Sequence, residues 1–91
     1  VSQAAYSSVD SNNVVELLSK YTEMQKIIDE TIEKYMPKFI KLILEKVDNP
    51  LEIEAWMEEL KRCRNEDLPL ETRYIIARAI QRKTEELELM I

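Results

Sequence analysis

Glycine and histidine are both missing from this 91-residue chain, and cysteine, tryptophan and phenylalanine occur once each. Without glycine the chain lacks the residue that adopts positive φ at no steric cost. Gly-rich phosphate loops, dinucleotide fingerprints and glycine helix C-caps are thereby excluded. Without histidine it lacks the commonest general base, the commonest metal ligand and the side chain that titrates near neutrality. The Glu-x-x-His pairs of a helical di-iron site cannot be built either. Cys63 has no second cysteine to pair with and no histidine to activate it. It reads as a small core residue, and a free thiol fits a reducing, cytoplasmic compartment. No run approaches the 18 apolar residues of a membrane span, so a membrane is not an expected partner. Residues 1–13 carry neither the basic nor the apolar region of a secretory leader.

What is present suits one small folded domain. Hydrophobic residues make up 45% of the chain and charged residues 34%, enough for a core and a solvated surface, and the length suits one core rather than two. Residues 1–13 (VSQAAYSSVDSNN) are small and polar with one charge, and predict a flexible lead-in. Residues 14–91 form the domain. Asn13, with Glu16 three residues on, resembles a capping box and places a helix start at Val14. From there Val14, Leu17, Leu18, Tyr21, Met24, Ile28, Ile32, Tyr35, Met36, Phe39, Leu42 and Ile43 fall within one arc of about 120°. Pro37 interrupts the pattern, because an interior proline removes a hydrogen bond and clashes with the carbonyl four residues back. The arc keeps its phase across it, which predicts a kinked helix or two nearly coaxial ones, with residues 38–47 the most buried stretch.

Asp48-Asn49-Pro50-Leu51-Glu52 is a stop and restart, with Asn49 as cap and Pro50 at the first helical position. Ile53, Trp56, Met57, Leu60 and Cys63 give the next helix a single apolar face, and Trp56 is the expected core anchor. A turn over Asn65-Glu66-Asp67-Leu68-Pro69, with Asp67 as cap, leads into a last helix ending near Leu89. Its inward face is Leu70, Tyr74, Ile76, Ala77, Ile80 and Leu87, while Ile75 and Ala79 point elsewhere. No strand-like alternation occurs. The fold class is all-α, a small bundle of three or four helices with the first kinked or broken at Pro37.

Two functional readings follow, neither of them enzymatic and neither requiring a cofactor or metal. Adjacent carboxylates such as Glu58/Glu59 and Glu85/Glu86 diverge by about 100° on a helix and cannot form a facing acid–base pair. The first reading is a protein–protein interaction or assembly module, self-associating as a homo-oligomer or serving as a small subunit docked on a larger protein. Ile75, Ala79 and Met90 on the last helix are its interface candidates. The second is a nucleic-acid-associated accessory domain. All the arginines lie in the second half, and Lys61, Arg62, Arg64, Arg73, Arg78, Arg82 and Lys83 are candidates for phosphate contacts. Against it stands a net charge of −5, since unpaired acids repel the phosphate backbone. The plainer expectation for these cations is charge balance within the fold. Lys61, Arg62 and Arg64 would complement a helix C-terminus, Arg78 and Arg82 would pair with Glu71, Glu85 and Glu86, and Arg73 would bridge to the acid-rich third helix.

Overall fold

The computed structural model of the chain describes the backbone of residues 2–91 and the side chains of residues 13–91. The described residues are helical, in the order α1 (Ser2–Glu30), a π-helical turn (Thr31–Tyr35), α2 (Met36–Lys46), α3 (Pro50–Arg64) and α4 (Leu70–Leu89). Of the expected lead-in over residues 1–13, the side chains of residues 1–12 fall outside the described ones. The helix boundary differs from the sequence expectation: α1 is already helical from Ser2, so Asn13 lies within it and caps nothing.

Pro37 bends the first helix through a specific device. Proline cannot donate to the Glu33 carbonyl, and the chain absorbs this by widening one turn, in which the Met36 N–H donates to the Thr31 carbonyl, five residues back. The widened turn inserts extra angular phase. The buried positions of this rod are Met24, Ile28, Thr31, Met36, Phe39 and Ile43, and the five-residue step from Thr31 to Met36 is the one the π turn accommodates. α1 and α2 are thus one bent rod rather than two helices.

Three tie points set the direction of α4 against this rod. Tyr21 donates to Glu71, Gln81 donates to Thr31, and Lys38 pairs with Glu88 at 2.9 Å, each separated by 50 residues. A constant offset with both numbers rising means that the rod and α4 run parallel. α3 runs back between them in sequence, as Arg73 meets Cys63 near one end and Lys83 meets Glu52 near the other. The core lies where α4 packs on both, around Ile28, Phe39, Ile43, Cys63, Ala77, Ile80 and Leu87, all fully buried.

Phe39 anchors this core. Trp56 is only half-buried and sits edge-on to it, with centroids 5.2 Å apart and an interplanar angle of 70°. The expectation of Trp56 as anchor is corrected for a geometric reason: α3 packs chiefly on α4, and Trp56 lies against the edge of the core, only partly buried. Residues 38–47 are also less uniformly buried than expected. Phe39 and Ile43 are sealed, but Ile40 is exposed and Leu44 is 62% exposed, because α2 meets neighbours on one side only.

Helix ends without glycine take a common form. Val47, Asn65 and Met90, the residues ending α2, α3 and α4, are all extended, with ψ of 122°, 103° and 137°, and no described residue has positive φ. Terminal carbonyls that a left-handed glycine cap would satisfy are met by long cations from other helices. Lys46 Nζ donates to the carbonyls of Leu87 and Met90 at 2.7 and 2.8 Å, and Arg73 Nε donates to that of Cys63 at 2.7 Å. At the start of α3, Asn49 caps as expected, its side chain accepting from the Leu51 N–H at 3.0 Å. Asp67 does not cap α4. Asn65 accepts the Asp67 N–H instead, and Pro69 occupies the cap position with no side-chain hydrogen bond.

Candidate functional site

The cations proposed for phosphate are dispersed, and most are engaged. Lys61 pairs with Glu58 at 3.4 Å and Arg62 with Glu59 at 2.9 Å, one turn back along α3. Lys83 is held between Glu52 of α3 and Glu86, at 3.5 and 3.3 Å. Arg78 donates to Gln81 Oε1 at 2.8 Å, not to the glutamates expected for it. Arg64 and Arg82 are exposed and make no hydrogen bond or ion pair among the described residues. They stand on different helices and define no single stripe.

Arg73 is buried, and its partner corrects the expected ion pair with an acid of the third helix. The Nε group meets the last-turn carbonyl of α3 at Cys63, the negative end of that helix's dipole. This placement offsets the unfavourable position of a cation near the N-terminus of its own helix. Cys63 Sγ in turn lies 3.8 Å from the Arg73 carbonyl. Burial pushes the Cys63 thiol above its ordinary pKa, the nearby Arg73 charge opposes that rise, and Glu59 adds to it. The thiol is therefore protonated and inert near neutrality.

A second buried polar chain was not read from the sequence. Gln81 donates to Thr31 Oγ1 at 2.8 Å, Thr31 donates to the Ile27 carbonyl at 2.8 Å, and Arg78 caps the other end of the Gln81 amide. These groups join α4 to the π turn and are all satisfied. They fix register and offer no free donor to a ligand. Among the described residues no cluster of three or more acidic or thiol side chains is arranged to hold a metal.

The feature with unsatisfied chemistry is apolar. Tyr21, Met24, Ile28 and Thr31 recur at alternating spacings of three and four on the side of α1 that meets α4, the repeat of a coiled-coil seam. Continued toward the N-terminus, the same repeat reaches Leu17 and Val14. By the 50-residue offset, Leu70 at the start of α4 stands level with residue 20, so α4 does not reach this part of the seam. Val14, Val15, Leu17 and Leu18 are 49%, 63%, 50% and 61% exposed. The expectation that Val14, Leu17 and Leu18 belong to the inward arc is corrected: they share its phase, but among the described residues no helix lies opposite them. An open groove beside them is lined at this end by Leu18, Tyr21, Thr22, Gln25 and, from α4, Leu70, and continues along the charged side chains of Lys26, Asp29, Glu30, Glu33 and Lys34.

The interface candidates on α4 are less coherent. Ile75 is 66% exposed and Met90 is exposed, while Ala79 is half-buried. Met90 lies about 16 Å along the helix from Ala79. No helix among the described residues is long and apolar enough to cross a membrane. No protein-family model, no characterised protein and no solved structure matches this chain.

Proposed function

We propose that the chain is a non-enzymatic assembly module that works by helix-to-helix packing, as a self-associating protein or a small subunit of a larger complex. The observation that carries this is the exposed apolar surface of α1 beyond the start of α4, Val14 and Leu17 in line with the seam and Leu18 beside it. Contiguous apolar side chains in the phase of a core seam are stabilised when another helix covers them.

An environment-sensitive fluorophore on a cysteine at Ser19, beside Leu18, reports coverage of this surface. The label is titrated with unlabelled chain, with an uncharged-overall amphipathic Leu/Val-heptad peptide, and with mixed oligonucleotides, each at low and high salt. A blue shift with chain or peptide that persists at high salt supports the proposal, because apolar burial is insensitive to screening. No shift with either, or a shift with oligonucleotide alone that vanishes at high salt, overturns it and favours phosphate contacts through Arg64 and Arg82.

A further inference from the structure

Resting on that reading, the geometry points to a second copy of this chain as the occupant, its α1 crossing the first antiparallel about a two-fold axis near Leu18.

Three observations select this occupant. The first is spacing: beside the seam that α4 covers, Val14, Leu18 and Tyr21 follow one another four and three residues apart with Val15 next to them, an exposed strip with the spacing that accepts another helix. The second is charge. The chain carries −5 overall, yet residues 13–26 hold two acids, Glu16 and Glu23, and two lysines, Lys20 and Lys26, so two copies meet here without the repulsion they meet elsewhere. The third is the shortness of the patch. Apolar residues on this face stop at Tyr21, and below it come Gln25, Lys26 and Asp29. A parallel pair would carry the contact onward and set Asp29 against Asp29 and Lys26 against Lys26. An antiparallel pair about Leu18 places Leu18 on itself, Val14 opposite Thr22 and Val15 opposite Tyr21, and the helices part beyond. It also sends the two bundles to opposite ends. A two-fold contact of this kind is self-complementary and closed.

The footprint of a few side chains per copy is below the roughly 800 Å² per partner of a stable interface, so the dimer is reversible and concentration-dependent. Spin labels at Asn13, Ser19 and Lys26, placed one at a time through cysteine, test it by pulsed dipolar spectroscopy on the full chain. Cys63 is fully buried and stays unlabelled. In an antiparallel pair the labels separate by about 3 Å along the axis for each residue between label and two-fold. The expected result is the shortest distance at Ser19, growing toward both Asn13 and Lys26. Equal distances at all three sites, no dipolar signal at high concentration, or a signal that survives Leu18→Glu overturns the inference. If the Ser19 fluorophore responds to the heptad peptide while these labels show no dimer, the assembly reading stands and the second copy falls.

Discussion

At the scale of single residues, the core depends on Phe39 more than on the tryptophan. Phe39 is fully buried, and its truncation to alanine is expected to cost about 3–5 kcal/mol in a urea titration. Trp56→Ala should cost clearly less, because part of its ring already meets water; an equal or larger loss would restore Trp56 as the anchor. Thr31→Val removes the acceptor of a buried amide and should cost about 1–3 kcal/mol through the unpaired Gln81 donor. The Cys63 thiol has a definite pH signature. Its folded pKa is raised, so the folded state holds the proton longer than the unfolded one. The associated stability is complete below the ordinary thiol value near 9.0 and falls as pH rises from there through the folded pKa. The loss above pH 9 should shrink in Cys63→Ala, measured by denaturation at matched pH values.

At the scale of elements, the sequence made most boundaries readable through residues with a forced conformation. Asn49 and Pro50 start α3 where they stand, and Pro37 bends the first helix. Three features were hidden for physical reasons. The π turn was not legible because Ile32 and Tyr35 extend the apolar arc smoothly, whereas the position sealed in the core is the polar Thr31, partnered by a glutamine 50 residues away. Arg73 reads from the sequence as an ion-pairing cation and Lys46 carries no signal at all, because their acceptors are backbone carbonyls of distant helices, which no local pattern marks. The exposed seam was misassigned because periodicity gives the phase of a helix and not the length of its neighbour. The signal available was that α4 is shorter than the rod it lies against. Lysine capping at the end of α4 has its own test. Lys46→Met should speed amide hydrogen exchange over residues 84–89 selectively, with little change in α3, and uniform acceleration would show that Lys46 serves overall stability instead.

At the scale of the whole molecule, the described residues of this glycine-free chain form three helices that bury one core around α4 and leave Val14, Val15, Leu17 and Leu18 of the longest helix exposed. The cations that suggested phosphate binding mostly have partners within the chain, Lys61 and Arg62 in exposed pairs along α3, Lys83 on carboxylates and Arg73 on a helix terminus. The apolar surface is unspent. Ile75→Glu should leave both folding and association unchanged, since Ile75 is exposed and distant from Leu18 along the parallel helices; dissociation in that variant would move the interface onto α4.

Sedimentation equilibrium of the wild type and of Leu18→Glu, each at low and high salt, tests the central claim most directly. The account predicts a reversible monomer–dimer equilibrium for the wild type that high salt does not weaken, and a monomeric Leu18→Glu with an unchanged melting temperature. A wild type that stays monomeric at every concentration, or a Leu18→Glu variant that dimerises as well as its parent, would contradict it.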